Sequence, residues 1–295
     1  MNQRIHRIAF FRQPAAWIAL LGVFVLTAGP GRGQNQTPST IPPAASAPNA
    51  AGPAQLESFA AKFAADTGIK LVLIPAGVFL MGDSVIAPGP SHQVTISRPF
   101  YLGATDVTQA QWTALMGDNP SHFKDDTRPV ERVSWDDSLA FCKKLTDGEQ
   151  AAGRLPAGWA FTLPTSAQWE YACRAGTTGD NPGNLDEMAW YDVNSDDMTH
   201  PVATKKPNAW GLYDMQGNVY QWCLDWYGDM GKEPETDPTG PATGSNRTMR
   251  GGAWNVGVIQ CRSSGRNGDD HRSRFYYLGL RVALVSAPAA PPPAK

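Results

Sequence analysis

Four cysteines are the side chains best suited to covalent or metal chemistry in this 295-residue chain. They are Cys142, Cys173, Cys223 and Cys261. An even number of cysteines in an exported protein is typical of two disulfides, and four cysteines allow three pairings. The sequence does not choose among these pairings, and four buried free thiols are the other interpretation.

Other metal-binding patterns are absent or incomplete in the sequence. Asp192, Asn194 and Asp196 imitate the start of an EF-hand loop. However, Asp197 replaces the turn glycine and Ala203 stands where the bidentate glutamate should be, so we predict no EF-hand. The net charge of −2 gives no basic surface for a polyanion, and we predict no nucleic-acid partner.

Residues 1–33 are predicted to be a secretory signal peptide. Arg4, Arg7 and Arg12 precede an apolar stretch at 15–28. This stretch of about 14 residues is shorter than the roughly 20 that a membrane span needs. We therefore predict cleavage, a periplasmic or secreted protein, and no membrane insertion after cleavage.

The remainder of the chain is predicted to form one domain between two tethers. Residues 34–55 are rich in Pro, Ala, Ser and Thr and are predicted to be a linker, and 286–295 are predicted to be a disordered tail. Residues 56–285 contain no repeat and no second linker. Apolar residues make up 42% of the chain, which is enough for a sizeable core.

Within this domain, helices and strands are predicted to alternate. A helix begins at Leu56, and Thr108, Ser134 and Thr165 are predicted to cap three more, the last of which ends at Gly176. The strand predictions are a hairpin at 70–82, one strand at 94–103, and short strands near 248–254 and 278–285. These elements indicate a mixed, loop-rich α+β fold.

Seven segments together resemble the formylglycine-generating-enzyme (sulfatase-modifying factor) family. They are LVLIPAGVFLMGD (71–83), PFYLGATDVTQAQW (99–112), RPVERVSWDDSLAFC (128–142), FTLPTSAQWEYACRAG (161–176), NAWGLYDMQGNVYQWCLDWYG (208–228), RGGAW (250–254) and LGLRVAL (278–284). They follow the family's order. The resemblance implies the family's fold, which is described as C-type-lectin-like.

Catalysis in this family depends on a cysteine pair. The enzymes oxidise a sulfatase cysteine to formylglycine with oxygen and Cu(I), held by two cysteines five residues apart, and soft thiolates suit Cu(I). Counted forward from Gly252, these positions fall on Val256 and Cys261. Cys261 would thus be catalytic only if the protein were an enzyme, and we predict no copper site.

Counted back from the last motif, Cys261 instead matches a structural cysteine of the family. The resemblance implies that it bridges to Cys173, and we favour this assignment. A second family disulfide would join Cys142 to the position of Val282, where it cannot form. Cys142 then pairs with Cys223 or stays free.

The resemblance also implies a calcium site. The matching ligands are the side chains of Asp214 and Gln221 and the carbonyls of Gly217 and Val219. Glutamine replaces the usual glutamate and removes a charge, whereas Asp214 supplies a carboxylate. Oxygen ligands suit Ca²⁺, and a hydrogen-bonded turn is the alternative.

An intact scaffold without the cysteine pair suggests a non-copper member that binds or assembles something. Its partner would be an unknown protein or small-molecule ligand. The groove expected to recognise it contains Trp254, Asn255, Arg262, Arg266 and Asp270.

Two other functions remain open from the sequence. The protein could be an oxidase with a rebuilt site, or a periplasmic tailoring enzyme, in which Cys261 is a lone functional thiol. It could also be a ligand-binding display protein, since some hypervariable bacterial proteins share this fold.

Overall fold

The computed structural model describes residues 52–83 and 91–286. The predicted signal peptide, most of the linker and nearly all of the tail lie outside these residues. Within the two described ranges, no helix is long and apolar enough to cross a bilayer.

The five helices in the described residues are α1 (Pro53–Thr67), α2 (Gln109–Met116), α3 (Trp135–Ala151), α4 (Ser166–Arg174) and α5 (Leu185–Met188). Three of them begin directly after a predicted capping residue, whereas α1 begins three residues before the predicted Leu56. Thr108, Ser134 and Thr165 each form a capping box with the residue three positions later, which confirms these three predictions. Helix α4 ends one residue early, because Ala175 adopts the left-handed cap conformation predicted for Gly176.

Three small sheets contain all the named strands of the described residues. The first sheet has the strand order β1 (Leu71–Ile74), β4 (Phe100–Gly103), β11 (Ala283–Ser286), β5 (Trp159–Thr162). The second sheet has the order β10 (Leu278–Gly279), β6 (Tyr220–Trp226), β8 (Arg247–Arg250), β9 (Arg266–Asp269). The third sheet has the order β2 (Gly77–Met81), β3 (His92–Ile96), β7 (Glu235–Thr236). Long connections join these short elements, as the loop-rich α+β prediction expected.

The predicted hairpin at 70–82 is wrong. Strand β1 pairs with β4, whereas β2 pairs with β3 in a different sheet. The stretch 94–103 is likewise divided between β3 and β4. Gly77 lies so close to the Tyr171 hydroxyl that a Cβ there would collide with it. This close approach lets β2 pack against α4, and β2 does not fold back on β1.

A buried ion network connects helix α4 to two of the sheets. Glu170 is fully buried, and its Oε1 accepts hydrogen bonds from the Gly82 amide (2.8 Å) and from Arg174 Nη2 (2.7 Å). Its Oε2 accepts from Arg250 Nη2 at 2.9 Å. Arg250 is also fully buried and donates to Ser166 Oγ. A buried carboxylate needs such partners, so the three segments are held in one arrangement.

Replacing Glu170 with glutamine is expected to destabilise the fold by about 3–5 kcal/mol, because the Arg250 guanidinium would stay buried without its counter-ion. Guanidinium-induced unfolding measures this change. The matched control is Glu187→Gln, which breaks an exposed ion pair with Lys206 and should leave the midpoint almost unchanged. Similar losses in the two variants would contradict the role given to Glu170.

Candidate functional site

Val256 and Cys261, the positions that counting forward from Gly252 assigns to the family's cysteine pair, meet in one apolar cluster. After β8, the chain turns at Gly251 and Gly252, which both have positive φ. A Cβ on Gly252 would lie 2.6 Å from Cys261 Sγ, so only glycine allows this close approach. Cys261 is fully buried with Leu185, Ala189 and Tyr191, and Val256 packs against the same cluster. The structure therefore places a methyl-bearing side chain where a second thiolate would be needed.

The Cys261 thiol is held in its neutral form. Burial raises its pKa to about 12, and the nearby Asp192 acts in the same direction. Backbone amides at Ala253 and Gly217 only partly oppose this rise. Because Cu(I) binding and nucleophilic attack both use the thiolate, this environment suits neither.

No disulfide joins the cysteines, all of which lie in described residues: each is a buried free thiol. This differs from the Cys173–Cys261 bridge that we favoured. Cys173 Sγ instead contacts Ser263 Oγ at 3.5 Å, and burial raises the Cys173 pKa to about 11. Cys142 and Cys223 belong to separate core clusters, and Val282 packs in the same cluster as Cys142.

The side chain of Gln221, one of the predicted calcium ligands, already has other partners, whereas Asp214 Oδ1 is buried without a hydrogen-bond partner. Gln221 Oε1 accepts from Trp169 Nε1 (2.7 Å) and from Arg281 Nε (2.9 Å), which uses both of its lone pairs. Its Nε2 donates to the Asp214 carbonyl, so the amide is oriented by contacts on both sides.

A guanidinium supplies the positive charge beside these residues. Arg281 is fully buried and also donates to the carbonyls of Gly103 and Tyr213. It lies 3.8 Å from Asp106 and favours the charged form of Asp214. Burial nevertheless raises the pKa of both carboxyls. The donor set of the predicted calcium site thus already contains a fixed guanidinium, that of Arg281.

Packing explains the backbone conformation at Gly217 and Val219, the two predicted carbonyl ligands. Gly217 has positive φ, and a Cβ there would collide with the Trp190 backbone. Its amide donates to the Gly251 carbonyl at 2.8 Å. Val219 is fully buried, and its side chain lies 3.1 Å from the position of a Cβ on Gly279. The GNxYQW segment is thus a tightly packed turn, which was our alternative to a metal site.

An aromatic face surrounds Trp254, which follows the Gly251–Gly252 turn in the chain. We define it as His122, Phe123, Trp254 and Tyr276. The Trp254 ring lies 5.5 Å from Phe123 and 5.6 Å from Tyr276, and His122 lies 5.8 Å from Tyr276. Trp254 is buried beneath, whereas Tyr276 is 39% exposed. Of these residues, the sequence singled out only Trp254; the aromatic run FYY at 275–277 was the signal that could have indicated Tyr276.

Glu131 holds the backbone of the aromatic face from below. It is fully buried, and its Oε1 accepts from the amides of His122 and Phe123, the latter at 2.8 Å. Its Oε2 is buried without a hydrogen-bond partner. Burial raises the Glu131 pKa to about 7, although the two amides and the charges of Arg132 and Lys124 oppose the rise.

The residues expected to form one recognition groove occupy different neighbourhoods. Trp254 belongs to the aromatic face and Asn255 follows it, with a buried Oδ1 that has no partner. Arg262 pairs with Asp83 and donates to the Ile259 carbonyl.

The other two predicted groove residues contact different parts of the surface. Arg266 donates to the Gly228 carbonyl, and its guanidinium lies 5.3 Å from the Tyr227 ring. Asp270 is paired with the exposed Arg272, which lowers the pKa of its carboxyl. Trp254 is therefore the only predicted groove residue that is part of the aromatic face.

The fold and these sites define a loop-rich α+β protein of the formylglycine-generating-enzyme fold. The sulfatase-modifying factor enzyme 1-like domain matches residues 58–285. The chain belongs to the formylglycine-generating-enzyme (sulfatase-modifying factor) family.

Known relatives of the chain differ in their described roles. Chaperone protein LppX of Paenibacillus barcinonensis is 34% identical over 231 residues, which cover 62% of this chain and 78% of LppX. The formylglycine-generating enzyme of Streptomyces coelicolor is 31% identical over 211 residues, 63% of either protein. The solved structure of Treponema denticola variable protein 1 has a TM-score of 0.67 and 32% identity, covering 74% of this chain and 95% of that one.

Glu131 is expected to make stability depend on pH. The folded state binds the Glu131 proton more tightly than the unfolded chain does, because the carboxyl pKa in the unfolded chain is near 4.5. The free energy of unfolding should therefore fall by about 3 kcal/mol as pH rises from 4.5 to 7, with no further loss above. Glu131→Gln keeps an acceptor for the two amides but does not titrate. Denaturant unfolding of both proteins between pH 5 and 8 should give similar stabilities at pH 5 and a growing deficit of the unmodified protein as pH rises, because only the unmodified protein titrates; parallel curves would exclude this role.

Calcium is expected to have no effect on stability, because Arg281 already provides the cation near Asp214 and Gln221. Thermal melting with a chelator and then with roughly 1 mM calcium should give the same midpoint. A site with a Kd of roughly 1 μM would add about 4 kcal/mol under those conditions. A clear rise in midpoint, abolished by Asp214→Asn, would show that a calcium site exists.

Proposed function

We propose that the protein is an exported, non-copper member of its family that binds or assembles a protein partner. The observation that carries this proposal is the pairing of Val256 with a single, buried, neutral Cys261 thiol. Valine offers no electron pair to a metal, and one protonated thiol does not replace two thiolates. A packed valine thus stands at the position that we assign to the first of the family's two catalytic cysteines.

The aromatic face is the surface that we assign to partner binding. Aromatic side chains contribute much of the binding energy at protein interfaces because they bury large areas with little loss of conformational freedom. Trp254 supports the exposed ring of Tyr276 from beneath, and Glu131 fixes the backbone of His122 and Phe123. A rigid face of this kind loses little entropy on binding.

The relatives are compatible with a binding role. LppX is described as a chaperone, and its alignment covers 78% of its length. By contrast, the alignment with the Streptomyces enzyme covers less than two thirds of that enzyme. A chaperone-like activity toward an exported protein is therefore the form of binding that we favour, in the periplasm or outside the cell, where the segment 1–33 would direct the chain.

Protection of an aggregating protein tests this function. The reduced insulin B chain serves as the probe, and light scattering reports its aggregation. The protein should suppress aggregation, and Tyr276→Ala should reduce this at least threefold, since it removes the exposed ring. Tyr227→Ala is the matched control because Tyr227 is also 39% exposed but lies outside the aromatic face.

Two results would contradict the proposal. One is equal protection by the Tyr276→Ala and Tyr227→Ala variants, or no protection by the unmodified protein. The other is conversion of a sulfatase-cysteine peptide to formylglycine in the presence of copper and oxygen, detected by the mass of the peptide. Turnover that is lost in Cys261→Ser would establish the oxidase alternative.

A further inference from the structure

A cavity lies in the same domain, and none of the aromatic-face residues lines it. Its walls come from the start of β3, the first turn of α4, the end of β6 and the loop at 229–241. Its volume is about 240 Å³. At roughly 30 Å³ per water, this is room for about eight waters, or for a compact organic molecule. We call it the β3–α4 cavity.

The lining of the β3–α4 cavity is ionisable and has an excess of negative charge. Three carboxylates, Asp225, Asp229 and Glu235, face one guanidinium, that of Arg266. His92 lines the same cavity and is only 4% exposed. Asp225 is also buried, whereas Glu235 is half-buried and Asp229 is exposed. Buried ionisable groups are costly without partners, so the positions of Asp225 and His92 beside the cavity require a reason.

Several of these groups have unused hydrogen-bonding atoms. His92 Nδ1 is buried without a partner, and His92 Nε2 lies 3.6 Å from Glu235, beyond a hydrogen bond. Arg266 Nε is also buried without a partner. Asp225 Oδ2 accepts from the Ser166 amide, but no ion pair or hydrogen bond joins Asp225 to Arg266. The charged groups therefore surround the cavity and do not neutralise one another directly.

Glycines in the surrounding loop leave space for two of the carboxylates. A Cβ on Gly240, which has positive φ, would lie 2.9 Å from Asp225 Cβ and 3.2 Å from its Oδ1. A Cβ on Gly231 would collide with Glu235 Oε1. The loop conformation thus permits both carboxylates to stay beside the cavity.

We propose that the β3–α4 cavity binds a small molecule that carries a primary ammonium group. An ammonium is a compact cation with three donors, and it complements a cavity in which carboxylates outnumber the guanidinium. The described residues of the lining include no Trp, Tyr or Phe, the residues that form cages around quaternary ammonium ions. Met81, Met230 and two prolines supply an apolar wall for a short methylene chain.

The charges favour an amine over an anionic ligand for a further reason. Among the described residues, Arg266 is the only guanidinium in the lining, and burial together with the nearby Arg250 lowers its pKa, whereas Asp225 opposes this. Burial likewise raises the pKa of the Asp225 carboxyl. An added anion would face three carboxylates, whereas the same carboxylates would attract an added cation.

Calorimetric titration with 1,4-diaminobutane at low ionic strength tests this site. Its matched neutral control is 1,4-butanediol, which has the same chain and hydroxyls in place of ammonium groups. We expect saturable one-to-one binding of the diamine and none of the diol. Glu235→Gln and Asp229→Asn should each weaken binding at least fivefold, whereas Asp147→Asn, an exposed carboxylate on α3, should not change it.

Three outcomes would overturn the proposal: no saturable binding of the diamine, equal binding of the diol, or equal affinities in the Glu235→Gln and Asp147→Asn variants. The melting temperature of each variant is measured alongside, and Asp229, an exposed residue, provides a substitution that does not depend on the core. The result does not bear on the aromatic face, so it is independent of the proposed function.

Discussion

The buried charge of Glu170 constrains the rest of this structure more than any other group. A carboxylate in the core must have cationic partners, and Glu170 receives them from its own helix through Arg174 and from strand β8 through Arg250. Strand β8 leads directly into Gly251 and Gly252. The pairing therefore fixes the point from which the chain turns toward Val256 and Cys261, and so fixes the site as well as the fold.

A second buried guanidinium has a similar role between two of the sheets. Arg281 donates to a carbonyl at the end of β4 and to Gln221 on β6, which belong to different sheets. In a protein with such short strands, regular backbone pairing is limited, and side-chain hydrogen bonds to carbonyls connect the layers instead. The Arg281 guanidinium, which joins the two sheets, also lies beside Asp214 and Gln221, where the family resemblance implied a metal ion.

Local features could be predicted from the sequence, and distant contacts could not. The caps at Thr108, Ser134 and Thr165 depend on residues three positions apart, so the sequence contains the whole interaction. The pairing of β2 with β3, in a different sheet from β1, accompanies packing of β2 against helix α4 much later in the chain, which no local pattern reports.

The family motif predicted the candidate site only in part. Counting forward from the glycine pair gave Val256 and Cys261, whereas counting back from the last motif made Cys261 a structural cysteine, so the sequence left two registers. The support of the aromatic face by Glu131 was missed because the glutamate and its two amides are separated by a loop, and a charged residue in a motif is usually exposed.

Anaerobic copper(I) titration against a competing chromophoric chelator measures whether Val256 and Cys261 can hold Cu(I). We expect the unmodified protein to take up no stoichiometric Cu(I). We also expect Val256→Cys to gain one Cu(I) per chain, and this uptake to be lost again when Cys261→Ser is added. Uptake of one Cu(I) by the unmodified protein, abolished by Cys261→Ser alone, would contradict the claim that packing has replaced the family's metal chemistry.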